Sequence, residues 1–217
     1  MDTKLTGKTR IESDLIGARE IPAEALYGVQ TLRGIENFSI SKFRLSEYPL
    51  FIKGLAITKM AAAMANFELG LLTVEQKDAI IAACGEIIDG KHHDQFPVDM
   101  IQGGAGTTTN MNANEVIANR ALELMGHERG EYQYCSPNDH VNCSQSTNDA
   151  YPTAIHIGMY FKHLQLLPHL EELIASFRKK GEEFSRIIKM GRTQLEDAVP
   201  MTLGQTFNGF ASILQDE

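Results

Sequence analysis

From Leu50 onward the apolar residues return every three or four positions, and that period leaves room for little besides helix. Ile52, Leu55, Ala56, Met60, Ala63, Met64, Phe67 and Leu71 recur at helical spacing, with Gly70 where a C-terminal cap would sit. Thr73 and Gln76 make a capping box that opens a second stripe, Ile80, Ile81, Cys84, Ile87 and Ile88, which stops at Gly90. The spacing predicts a third helix from near Asn112 through Val116, Ile117, Ala121 and Leu124 to Gly126. Asp149 to about Met190 reads as one or two long helices, because Pro152 suits a first turn whereas Pro168 should kink or split the helix at that point. A last helix starts after Pro200 and is still running at Glu217; its stripe of Leu203, Phe207, Phe210 and Leu214 has no cap and no partner after it. Before Leu50, the punctuation Gly7, Gly17, Pro22, Gly28, Gly34 and Pro49 predicts short turns and a small hairpin. Almost nothing alternates with period two. The expected class is mostly α: a small N-terminal helical domain over 1–141, then the start of a long-helix bundle over 142–217, cut short.

Composition narrows the function classes. With 43% hydrophobic and 22% charged residues, the 217-residue chain is of ordinary soluble type and can bury a sizeable core. Twenty Lys and Arg against 28 Asp and Glu leave a net charge of −8, which argues against nucleic acid or an anionic membrane as partner. The one dense basic run, Arg178-Lys179-Lys180, is followed by Glu182-Glu183 and reads as a solvated helix face. Cys84, Cys135 and Cys143 are odd in number and unpaired in spacing, which fits a reducing cytoplasm. Met1 to Arg10 is polar and shows no leader-like apolar region. Lys59, Asn66, His156 and Lys162 break the apolar stretches short of the roughly 20 residues that a bilayer requires. A cytoplasmic location is expected. His92-His93-Asp94 and the widely spaced His156, His163 and His169 offer no metal-ligand pattern.

Three polar segments interrupt the helices. Gly103-Gly104-Ala105-Gly106-Thr107-Thr108-Thr109-Asn110-Met111-Asn112 reads plainly as a flexible turn that caps the next helix. It lacks the Gly-Lys-Ser/Thr of a phosphate loop and the third glycine of a dinucleotide fingerprint. What remains is a glycine-rich backbone with free N–H groups and three hydroxyls, which could also hold a carboxylate. Ser136 to Asp149 carries far more Ser, Thr, Asn and Asp than the capping of one helix needs, ahead of a proline-started helix whose N-terminus suits an anion. Gly191-Arg192-Thr193-Gln194 to Gly204-Gln205 reads as a polar connector between two helices. Together the donors suggest neutral hydrogen-bonding recognition of a small acid.

With these segments in this order, the chain resembles the aspartase/fumarase superfamily, and within it the aspartate ammonia-lyases. The motifs are Gly103-Gly104-Ala105-Gly106-Thr107, Asn110-Met111-Asn112 with Asn114-Glu115, Gln145-Ser146-Thr147-Asn148-Asp149-Ala150-Tyr151-Pro152-Thr153, and Gly191-Arg192-Thr193-Gln194 running to Gly204-Gln205. Arg10-Ile11-Glu12 through Tyr27-Gly28-Val29-Gln30-Thr31 extends the likeness over nearly the whole chain. Fumarases usually carry Ser-Ser-Asn where Ser146-Thr147-Asn148 stands, Trp at Tyr27, His at Ser136 and His at Gln194; the four differences together favour the aspartase branch, with class II fumarate hydratase as the alternative.

The resemblance implies reversible deamination of L-aspartate to fumarate and ammonia through an aci-carboxylate. By analogy Thr107, Ser146 and Thr147 bind the β-carboxylate, while Asn148, Thr193 and Gln194 hold the departing amino group. It further implies a homotetramer and no required cofactor, and it leaves Mg²⁺ activation open. In the family the general base is a serine on a Gly-Ser-Ser-x-x-Pro-Gly-Lys-x-Asn loop, and no such segment occurs in this sequence. The expectation is therefore a chain with substrate-binding residues but no catalytic residue of its own, inactive alone. A third reading is a non-catalytic helical fragment that assembles with a partner, suggested by the unpartnered stripe from Leu203 to Leu214.

Overall fold

The expected N-terminal hairpin is present: β1 (Thr9–Asp14) and β2 (Gly17–Pro22) pair antiparallel, with Arg10 opposite Ile21 and Asp14 opposite Gly17. The computed structural model describes residues 7–217, so the start of the Met1 to Arg10 stretch lies outside the described residues. Where the sequence predicts only turns, a helix follows, α1 (Val29–Asn37). Nine residues are too few to reveal a helical period, and the side chain that stabilises its first turn comes from far along the chain. Glu115 accepts from Gly28 N (2.8 Å), Gln30 N (2.8 Å), Thr31 N (3.0 Å) and Thr31 Oγ1 (2.6 Å). A carboxylate at a helix N-terminus satisfies the N–H groups that have no partner within the helix. Burial pushes the Glu115 carboxyl upward, against the pull of these four donors.

The next two helices fall where their periods predict, α2 (Pro49–Glu68) and α3 (Val74–Ile88). Thr73 Oγ1 accepts from Gln76 N at 3.2 Å and Gln76 Oε1 from Thr73 N at 3.1 Å, closing the capping box. By length and mean hydropathy, α2 is, among the described residues, long and apolar enough to cross a bilayer, contrary to the sequence expectation. Its place is instead in the core, where Ile52, Leu55 and Ala56 pack with Ile80, Cys84 and Ile87 of α3. The third helix, α4 (Thr107–Leu124), starts five residues before the predicted Asn112 and takes in the end of the first polar segment. Gln102 substitutes for a local cap: its Oε1 accepts from Thr109 N at 2.9 Å. α4 is buried on all sides, so Asn110, Asn112, Asn114, Glu115 and Asn119 lie in the interior beside Val116, Ile117 and Leu122.

A bidentate ion pair joins α3 to α4, with Arg120 Nε and Nη2 donating to Glu86 at 2.6 and 2.8 Å. The guanidinium, aided by His92, holds the Glu86 carboxyl down to about 2 from an ordinary 4.5. Because the folded value is depressed, the stabilisation is full above pH 4.5 and disappears as pH falls toward 2. Glu86→Gln should therefore lower the unfolding midpoint near neutral pH and flatten its decline between pH 4.5 and 2. Denaturant titrations across that window check both points. His93, the neighbour of His92, turns its Nε2 to Ile87 O at 2.9 Å.

After one π-helical turn at Pro137–Val141, α5 (Thr147–Glu183) runs for 37 residues without a break. Of the two readings, one or two long helices, the structure has one, and Pro168 does not split it. Leu164 and Pro168 are both exposed, so water can take up the carbonyl that the missing N–H leaves open. The helical reading to Met190 is also corrected: α5 ends at Glu183 and an antiparallel hairpin follows, β3 (Ile188–Thr193) with β4 (Glu196–Thr202). Its two-residue turn, Gln194 (φ 49) and Leu195 (φ 72), has the backbone usually signalled by Asn-Gly, and here that signal is missing. A register shift between Met190 and Arg192 further obscures the alternation. The last helix, α6 (Leu203–Asp216), is capped by Thr202 Oγ1, which accepts from Gln205 N at 3.1 Å. Its apolar stripe is partnered in part: Phe207 and Phe210 lie 6.0 and 5.6 Å from Phe177 of α5, ring centre to ring centre, while Phe210 stays exposed. The chain divides into two compact units, one ending at Tyr160 and the other starting at Phe161.

Candidate active site

The first unit brings two of the three polar segments together. Gly106, the residue before α4, has φ 88 and is buried under the ring of Tyr151, which stands in the first turn of α5. A β-carbon on Gly106 would fall on Tyr151 Cγ, so only glycine permits this approach. Asn110 Nδ2 then donates to Thr147 Oγ1 at 3.2 Å, a second tie between the two segments. The N-termini of α4 and α5 are thus neighbours. Each carries roughly half a positive charge and free N–H donors, so together they favour an anion.

Thr107 is the first residue of α4 and is exposed, as are Ser146 and Asn148; Thr147 is half-buried. Ser146 Oγ accepts from Asn148 N at 3.3 Å, and Ser146 O accepts from Ala150 N at 3.0 Å. The left-handed backbone of Ser144 (φ 57) turns the chain just ahead of these residues. Thr107, Ser146, Thr147 and Asn148 present hydroxyl and amide donors that do not titrate, next to the exposed Asp149 carboxylate in the first turn of α5. Such donors can meet a growing negative charge without first giving up a proton. Ser136 closes the π-helical turn upstream by accepting from Asp139 N at 3.1 Å.

Behind the loop stands a residue that the sequence marked only as a break in an apolar stretch. Lys59 of α2 is wholly buried, and its Nζ donates to Asn142 Oδ1 at 2.9 Å and Gln145 Oε1 at 3.0 Å. Burial pushes the ammonium down to about 7, and it likewise pushes the neighbouring Cys84 thiol of α3 up to about 12. Asn142 Oδ1 also collects Asn110 Nδ2 at 3.0 Å and Asn114 Nδ2 at 3.2 Å. The available signal was a lysine on the apolar face of a helix, where Ile52, Leu55, Ala56 and Ala63 are its neighbours in the period.

Thr193 and Gln194 belong to the second unit, at the end of β3 and in the turn before β4, and both are exposed. The strand pairing sets Thr193 opposite Glu196 and leaves Gln194 in the turn.

The whole stretch 17–217 matches the family model described as Lyase. The aspartate ammonia-lyase of Pseudomonas canavaninivorans is 60% identical over 208 residues, covering 96% of this chain and 44% of that relative. Among solved structures, the chain is similar to a fumarate lyase:delta crystallin from Brucella melitensis, with 54% identity, TM-score 0.89, and coverage of 96% of this chain and 45% of that one. A class II fumarase from Schistosoma mansoni is 39% identical with TM-score 0.85, covering 96% and 44%. The chain thus spans less than half the length of the relatives it matches.

Proposed function

Since the chain belongs to this lyase family, we propose that it is the N-terminal part of an aspartate ammonia-lyase that converts L-aspartate reversibly to fumarate and ammonia. The observation that carries this reading is the meeting of the α4 and α5 N-termini, lined by Thr107, Ser146 and Thr147. These donors take the β-carboxylate. When a base removes the proton from the adjacent carbon, the pair left behind delocalises into that carboxylate, which gains a second negative charge. The donors tighten on it more than on the substrate, and that difference accelerates the step. The pair then forms the double bond as the carbon–nitrogen bond breaks and ammonia leaves, with Asn148 beside the amino group; Thr193 and Gln194 keep the role that the resemblance gives them.

The base in this scheme is the serine of the family's glycine-rich loop, so the reaction is assigned to the complete protein. We place that protein in the cytoplasm as a homotetramer whose sites draw on several subunits. The scheme uses no cofactor, because neutral donors absorb the charge; adding and chelating Mg²⁺ in the same assay shows whether the ion activates.

Tyr27, Ser136, Thr147 and Gln194 favour the aspartase branch by resemblance, and the 60% identity to a named aspartate ammonia-lyase supports that choice over fumarate hydratase. The test is substrate choice by the complete protein. Fumarate should form from L-aspartate and not from L-malate, followed by its ultraviolet absorbance. Turnover of malate alone would give the site to hydration.

A further inference from the structure

Resting on that reading, we propose that Lys59 is the positioning residue of the carboxylate-binding loop, its amino head tying Asn142 to Gln145 and so setting Ser146 and Thr147 at the start of α5. Lys59 is among the largest fully buried side chains of the molecule, at 0% exposure, and both of its acceptors are amide oxygens of this one loop. Those acceptors sit three residues apart, and the second, Gln145, immediately precedes Ser146. The loop has little periodic structure of its own to hold it there.

The remaining bonds show how the tie reaches the site. Asn142 Oδ1, fixed by Lys59, is shared with Asn110 Nδ2, and the same Asn110 amide reaches Thr147 Oγ1. Asn142 Nδ2 donates to Gln145 O at 3.1 Å, and Gln145 Nε2 donates to Val141 O at 2.8 Å, so both amides are locked from either end. Asn66, seven residues after Lys59 on the same helix, donates from Nδ2 to Cys143 O at 2.8 Å. Helix α2 therefore grips the loop at two points, and Lys59 supplies the one that carries to Thr147. The head bonds to Asn142 and Gln145 of the loop, Asn110 and Asn114 of α4 share the Asn142 oxygen with it, and the Cys84 thiol of α3 lies near.

Lysine suits the position for a simple reason. Its slender stem passes through an apolar core, and its head has a hydrogen for each oxygen whether or not it carries the full charge. Methionine would fill similar volume and leave Asn142 Oδ1 and Gln145 Oε1 without this donor.

The test compares Lys59→Met with the wild type in the complete protein, by amide hydrogen exchange and by kinetics on L-aspartate. Exchange over residues 142–148 should quicken by about tenfold or more while α3 is unchanged. The value of kcat/KM should fall by about 100-fold, mostly in kcat, as expected for donors displaced by an ångström. A residue that only fills the core would lower the unfolding midpoint and leave both readouts of the folded enzyme unmoved. Unchanged exchange across the loop, or kcat/KM within about threefold of wild type, would overturn the proposal. If Lys59→Met does not fold, Gln145→Met removes the loop's second tie and decides by the same readouts. Failure of the wild type to use L-aspartate would sink the function reading alone, because the exchange result still reports on the loop.

Discussion

Replacing Ser146 by alanine in the complete protein should cut kcat/KM for L-aspartate by about 100- to 1,000-fold, the usual loss when one preorganised donor to a developing oxyanion is removed. Ser146 is exposed, and the hydrogen bond its hydroxyl accepts, from Asn148 N, is long at 3.3 Å. Losing that contact should cost no more than about 1 kcal/mol, the typical worth of a helix cap. Activity and stability therefore separate: steady-state kinetics should collapse while the unfolding midpoint barely moves. Thr193→Val should behave similarly on kcat, because its hydroxyl is exposed on the β3–β4 hairpin and the valine is nearly isosteric. Near-wild-type turnover by either variant would remove that residue from the site.

Gly106→Ala should do the opposite and strike the fold first. At φ 88 an alanine pays roughly 1–2 kcal/mol for left-handed backbone. Its methyl also lands on the buried face of Tyr151, which overpacking data put at roughly 1–3 kcal/mol. A combined loss of about 3 kcal/mol should be plain as a shift in the denaturant midpoint, with turnover lost as the α4 and α5 N-termini part. Adding Tyr151→Ala opens the space without changing φ. The double variant should thus recover the steric share and keep the backbone share, less whatever the lost edge contact of Tyr151 with Phe51 contributed. If the single variant unfolds like wild type, the Gly106–Tyr151 contact does not hold the two helix ends together.

The helices α2, α3 and α6 were legible because their information is local. Apolar period, Thr73 with Gln76, and the run after Pro200 all act within a few turns of one helix. The errors fell where a distant group decides. α1 is fastened by Glu115, some 84 to 87 residues away, and α4 begins early because Gln102 folds back on Thr109. The β3–β4 turn uses Gln194 and Leu195 in a conformation that their side chains do not announce. Pro168 breaks most helices, but an exposed stretch such as this one tolerates it.

By itself, then, the order of residues determined the helical class, the principal caps and the motifs that mark a lyase of this family, since each is written in neighbours along the chain. Tertiary structure alone decided that two polar segments meet head to head and that a buried lysine stands behind them. The bonds responsible join residues 32 to 86 positions apart: Asn110 with Asn142 and Thr147, and Lys59 with Asn142 and Gln145. Such pairings leave no period in the sequence, because they depend on where the packed faces of α2, α4 and α5 bring their polar residues once the apolar ones are buried.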